Sequence, residues 1–199
     1  MTIAAAVILI AALPGAADVS AARRIAIATV RPPRTLADAL AQFDRQFDAG
    51  YARAGGGTAT TAVQKRRLSR MRAAGRAEMS RQLTTDAIPR LLTLTERDYR
   101  ANFTPAELAR IAAFWTSPAG EALVQAMPRA AGQGGTLTLP PEHRDTITTY
   151  LTSPEARKES ARSATLRGEM ATVMTAFLQR AQPKITARIA AAGKTGTTP

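Results

Sequence analysis

Apolar positions along this chain recur at spacings of three and four residues, the repeat that gathers them on one face of a helix. Leu36, Leu40, Phe43 and Phe47 are the first such set, and they predict a helix opened by Thr35 as N-cap and running to about Ala52. Gly55-Gly56-Gly57 should end it in a flexible loop. Val63, Leu68, Met71, Ala74, Met79 and Leu83 predict a second helix from about Thr60, weakened in the middle by Gly75 and rich in Arg on its other face. A third helix is expected from about Thr85 to Ala101. Pro89 should kink it or mark its first turn, and Leu91, Leu92, Thr95, Asp98 and Tyr99 should put apolar and polar residues on separate faces.

The sharpest local signal is Phe103-Thr104-Pro105-Ala106-Glu107-Leu108. Thr104 reads as N-cap, Pro105 as the first helical residue and Glu107 as the third, so Thr104 and Glu107 can exchange hydrogen bonds in a capping box. Phe103 and Leu108 hold the positions of a hydrophobic staple. Leu108, Ile111, Ala112 and Trp115 continue the stripe. Ser117-Pro118 then caps a new helix at once, expected to turn Ala119, Ala122, Leu123, Ala126 and Met127 inward. Residues 132–138 read as a loop, and Pro140-Pro141 opens another short helix. Ser153-Pro154 caps a long one with an amphipathic stripe through Met170, Val173, Met174, Phe177, Leu178 and Ala181. Pro183 can kink it, Ile185 and Ile189 continue the stripe, and residues 193–199 should form a disordered tail.

The two Ser-Pro steps lie 36 residues apart, and at that offset Pro105 matches Pro141, Ile111 matches Ile147, Phe114 matches Tyr150 and Trp115 matches Leu151. Both copies read as proline, short amphipathic helix, aromatic, Thr-Ser-Pro, second helix. Such a helix–corner–helix unit cannot bury its stripe alone, so the two copies should pack on each other. The fold class expected is all-α, an irregular bundle of about six or seven helices built around this internal repeat.

Phe103-Thr104-Pro105-Ala106-Glu107-Leu108, then Ile111 and Phe114, then Thr116-Ser117-Pro118-Ala119-Gly120, resembles the signature of a family of exported bacterial proteins, the domain of unknown function 2059 (DUF2059). The close likeness spans the capping box and the first Ser-Pro corner. A looser one extends over residues 85–181. In the second copy His143 stands where the first has Glu107, and Ala156 where it has Gly120. The resemblance implies an all-α fold and an envelope location, and it implies no activity.

Residues Ile3 to Leu13 are wholly apolar, Pro14-Gly15 breaks the run, and Gly15-Ala16-Ala17 and Val19-Ser20-Ala21 each offer a cleavage site. Residues 1–21 therefore read as a secretory signal peptide, although no Lys or Arg precedes the apolar run. Arg31-Pro32-Pro33-Arg34 suggests that 22–34 is an extended linker, leaving 35–192 as the helical domain. No later segment is apolar enough to span a membrane, so the mature chain should be exported and periplasmic.

The formal net charge of +12 is compatible with an anionic partner. The densest run, Lys65-Arg66-Arg67 with Arg70 and Arg72, is broken by Leu68 and Met71 and reads first as a solvated face. With no cysteine, thiol nucleophiles, disulfides and thiolate metal sites are excluded. His143 is the sole histidine and belongs to the first turn of a surface helix, with no nucleophile indicated beside it. Glu96, Asp98 and Glu107 could serve a hydrolase only if two of them converged in a pocket. Gly193-Lys194-Thr195 echoes a phosphate-binding loop but lacks the earlier glycine, since Arg188 stands there. Phe114, Trp115 and Tyr150 could line a groove for a peptide or lipid, although aromatic residues at this spacing commonly form core. Thr104, Glu107, Ser117 and Ser153 are structural caps.

No catalytic, cofactor or metal residues are assigned, and no cofactor is expected. The chain reads as a non-enzymatic envelope protein acting through binding of a protein or ligand. The alternatives are a peripheral binder of anionic lipid through its basic surface and a carboxylate-dependent hydrolase. Nucleic acid is disfavoured as a partner, because the leader takes the chain away from it.

Overall fold

A computed structural model of the chain describes residues 16–53, 61–132 and 137–194. These residues are helical, with no strand among them. Eight α-helical segments follow in order: α1 (Ala16–Val30), α2 (Pro32–Tyr51), α3 (Ala62–Gln82), α4 (Ile88–Asn102), α5 (Pro105–Trp115), α6 (Pro118–Gly132), α7 (Arg144–Leu151) and α8 (Pro154–Lys194). The all-α bundle expected from the sequence is what forms.

The first departure is α1, which occupies most of the expected linker. Ala22, Ile25, Ala26 and Val30 fall on one helical face and are buried against α4 and α5. The two prolines do not extend the chain. They occupy the opening of α2, where no backbone N–H is needed. Thr35 is accordingly not the cap. Its hydroxyl donates to the Val30 carbonyl at 2.5 Å and satisfies an orphan group at the end of α1. The corner between the two helices is the single residue Arg31, in the left-handed region at φ 50. The leader assigned to 1–21 lies largely outside the described residues, as does the glycine loop at 55–57. Its last part enters α1, where Ala21 is buried.

From α3 the backbone runs into α4 through one π turn, Leu83–Ala87, closed by a bond from the Ile88 N–H to the Leu83 carbonyl. Pro89 follows immediately, at the start of α4. Its ring would collide with a carbonyl four residues earlier in an unbroken α-helix, and the wider turn relieves that conflict. Gly75 is not a weak point. A Cβ there would lie 2.6 Å from Phe43 of α2 and 2.7 Å from Ile189 of α8, so its smallness lets three helices meet. The α3 stripe is shorter than expected, because Val63 is 65% exposed. On α6, Ala119, Leu123 and Ala126 turn inward, but Met127 does not. On α4, Thr95 and Asp98 are buried on the same side as Leu91 and Tyr99, not on a separate polar face.

The repeat is present in atomic detail. Thr116 and Thr152 have nearly equal backbone angles, φ −95, ψ 2 and φ −90, ψ −5. The Ser117 and Ser153 N–H groups donate at 2.9 Å to the carbonyls of Phe114 and Tyr150. Both hydroxyls then cap the next helix, Ser117 accepting from Gly120 and Ser153 from Ala156, each at 3.2 Å. Ile111 and Ile147 are both fully buried. Phe114 stacks on its own repeat partner Tyr150, with ring centroids 3.6 Å apart. The copies therefore close on each other through equivalent positions.

α8 backs the whole bundle. At 41 residues it is roughly 60 Å long. Its first half meets α4, α5 and α7, and its second half lies along α3, where Phe177, Ala181 and Ile185 are buried beside Leu83 and Leu91. It continues through Pro183 to Lys194, so Gly193 is helical and buried against Met71 rather than part of a loose tail.

A Cβ at position 120 would come within 2.3 Å of the Phe114 carbonyl oxygen, whereas none would meet anything within 4 Å at position 168. Gly120→Ala should therefore lower stability by about 1–3 kcal/mol through overpacking of backbone. Gly168→Ala, in the exposed middle of α8, should raise it by about 0.5–1 kcal/mol. Urea unfolding followed by circular dichroism distinguishes the two signs.

Candidate functional site

A cavity of about 350 Å³ opens between α4, α5, α7 and α8, with Thr29 of α1 also on its wall. The Thr104 capping box starts α5. Thr104 N–H donates to Glu107 Oε2 at 2.7 Å, and Glu107 N–H donates to Thr104 Oγ1 at 3.3 Å. Phe103 and Leu108 are both buried in one cluster, as a staple requires. That fixed start, followed by the Ser117 corner, sets the direction in which Trp115 projects. The second corner does the same for Tyr150.

At the centre stands Glu159 of α8. Its Oε1 accepts from the Tyr99 hydroxyl at 2.6 Å and from Trp115 Nε1 at 3.0 Å, and its Oε2 accepts from the Tyr150 hydroxyl. One carboxylate thus gathers an aromatic donor from each of α4, α5 and α7. Burial raises the Tyr99 hydroxyl far above its ordinary ionisation range, and the neighbouring Glu159 charge adds to the effect. Tyr150 is raised for the same two reasons. Beside this cluster, Arg162 of α8 pairs with the buried Asp98 of α4. The bond to Asp98 raises the Arg162 guanidinium. Leu166 and Met170 continue the apolar wall along α8, and Phe103 faces them.

Of the three aromatic residues predicted to line a groove, Trp115 and Tyr150 line this cavity. Phe114 is buried in the core with Leu123 and Ile147. Glu159, Tyr99 and the Asp98–Arg162 pair were not singled out from the sequence as groove residues. A carboxylate inside an Arg-rich, Ser-rich helix has no local signature, because its partners come from three other helices.

The carboxylates considered for hydrolysis do not meet. Glu96 receives Arg23 at 3.3 Å, Asp98 is held by Arg162, and Glu107 caps α5 while Lys158 donates to it at 3.0 Å. Glu107 is held below the usual carboxylate range, first by the backbone N–H of Thr104 and then by Lys158. His143 is half-buried in a single 3₁₀ turn before α7. Ser117 and Ser153 are engaged as caps. Among the described residues no group of three or more His, Asp or Glu is placed to hold a metal ion. No helix of the described residues is long and apolar enough to cross a membrane.

The family described as "Uncharacterized protein conserved in bacteria (DUF2059)" matches this chain over residues 90–139. The resemblance read from the capping box and the first corner holds over that span, which is narrower than 85–181. It contains Asp98, Tyr99, Phe103 and Trp115 of the cavity and ends before Tyr150 and Glu159. No curated protein and no solved structure matches the chain.

The raised Tyr99 and Tyr150 make a pH expectation. A group whose folded pKa lies above its unfolded value of 10.0 leaves stability intact below that value and erodes it as pH rises above it. Of the three tyrosines in the chain, these two should show no phenolate absorbance until alkaline unfolding. An ultraviolet titration run beside circular dichroism checks the coincidence, and Glu159→Gln should bring the onset down only in part, because burial, the larger cause, remains.

Proposed function

We propose that this chain is a non-catalytic binding protein whose site is the cavity between α4, α5, α7 and α8, and that its ligand is a small, mainly apolar molecule. The observation that carries this reading is one hollow of about 350 Å³ with Trp115, Tyr150, Phe103, Leu166 and Met170 on its walls. Within it one carboxylate gathers the polar tips of three rings, and a small convergent polar cluster among aromatic and aliphatic walls is typical of small-molecule sites. The carboxylates weighed for hydrolysis, Glu96, Asp98 and Glu107, are each engaged in caps or ion pairs, which favours binding over reaction.

Trp115 is the only tryptophan, so its emission reports directly on occupancy. Decanol should quench or shift that emission saturably below its solubility limit. Ser163→Phe, which places a ring in the same hollow, should weaken the effect by roughly tenfold or more while leaving the helical signal intact. An unsaturable or absent response in the parent protein would sink the reading.

The proposed location is the bacterial envelope. It is supported by the apolar run Ile3–Leu13 and by the small residues that follow. Of the two cleavage sites, the one after Ala17 preserves the buried α1 face that begins at Ala21. Mass spectrometry of the exported protein should find Asp18 as its first residue, and a mature start at Ala22 would contradict this choice.

A second reading, docking on anionic lipid, is favoured by the start of α3. From Thr61 to Arg70 every residue is exposed except the half-buried Leu68, and no acidic residue occurs before Glu78. Arg72 and Arg76 are taken by Asp48 and Asp44 of α2, whereas Lys65, Arg66 and Arg67 make no ion pair with a described residue. These three, with exposed Val63, suit an anionic bilayer surface. Flotation with phosphatidylglycerol vesicles should recover the protein at low salt and lose it at high salt. Replacing the three cations by Gln should abolish recovery, and equal recovery with neutral vesicles would overturn the reading.

A further inference from the structure

We infer that the ligand of this cavity carries an ammonium group, seated against Glu159 with its apolar body along Leu166 and Met170. The inference rests on the groove reading above and adds the charge of the ligand to it.

Glu159 is half-buried, lines the hollow, and accepts on both oxygens, the pattern of an ionised carboxylate. Yet it forms no ion pair with a described residue. The cations near it in sequence are committed elsewhere: Lys158 to Glu107 and Arg162 to Asp98. Its three donors are neutral, and Tyr99 and Tyr150 are kept neutral by the burial described above. They orient the carboxylate and occupy three of its roughly four acceptor sites. They do not cancel its charge.

The part of the cavity around Glu159 is therefore negative, and the rings of Tyr99, Trp115 and Tyr150 stand beside it. Carboxylate and aromatic rings together form a receptor for an organic cation, since ring faces attract positive charge and the acid balances it. Outside the cavity, one ring of its wall already carries a cation, since Lys158 Nζ lies 4.9 Å from the centre of the Phe103 ring. The remaining acceptor site on Glu159 favours a primary ammonium, which can donate to it. Arg162 and Asp98 cancel each other at one side. Arg167 stands exposed at the rim, where water screens it. An anionic head group would have to lie against Glu159 or remain at that rim.

The test is a titration of Trp115 fluorescence with decylammonium and decanoate, each below its critical micelle concentration, and with decanol below its solubility limit. Decylammonium should bind roughly tenfold more tightly than decanol, with decanoate weakest, and Glu159→Gln should bring the three within about twofold of one another. Equal affinity for decylammonium and decanol would overturn the inference and leave the groove reading standing. Tightest binding of decanoate would overturn it in favour of recognition by Arg167. No response to any of the three would remove both. Should Glu159→Gln fail to fold, the order of the three probes on the parent protein decides alone.

Discussion

The convergence of three aromatic donors on the Glu159 carboxylate is the contact on which the upper half of this bundle depends. Tyr99, Trp115 and Tyr150 come from three helices and meet an acceptor on a fourth. Each ring brings apolar area that must be buried and a polar tip that must not be left unpaired. A single anionic acceptor satisfies all three tips at once. That is why the rings can lie beside a hollow instead of pointing their polar atoms to solvent. Removing the acceptor would strand three donors, whereas removing one donor strands only itself.

The repeat supplies the rings in the right places. Its two copies turn corners with the same dihedral angles and the same serine caps, yet they are not interchangeable. The first corner closes so tightly that Gly120 has no room for a methyl group, while the second accommodates Ala156. The first copy therefore forms a short, close pair, α5 with α6. The second opens into α8, which is long enough to reach α3. One motif, used twice with Gly120 exchanged for Ala156 at the corner, yields both the local core and the backbone of the molecule.

Much of this was legible along the chain because it is local chemistry. Capping boxes, staples and Ser-Pro corners are read within six residues, and the repeat makes each corner evidence for the other. The α1 helix was obscured by its neighbours. An apolar run ahead of it argued for a leader, and Pro32-Pro33 behind it argued for extended chain, although prolines suit a helix start equally well. Glu159 could not be found from one sequence, since its significance lies in partners up to 60 residues away. The Asp98–Arg162 pair is hidden for the same reason, and it turned an expected polar face of α4 into an interior one. The stripe residue Val63 fails for a different cause: it lies in the first turn of α3, where periodicity continues but burial does not.

The π turn between α3 and α4 carries a consequence for which lengths of chain this architecture tolerates. Each residue of an α-helix advances the side chain by about 100° around the axis. A π turn takes in one residue more than an α turn for almost the same rotation, so Leu91, Thr95, Asp98 and Tyr99 emerge at the azimuth that an α-helix one residue shorter would give them. Drawing the turn tight at the present residue count would swing the Tyr99 edge by about 100° away from Glu159. The segment acts as slack in the rod: it stores one surplus residue and so keeps the two cores of the bundle in register.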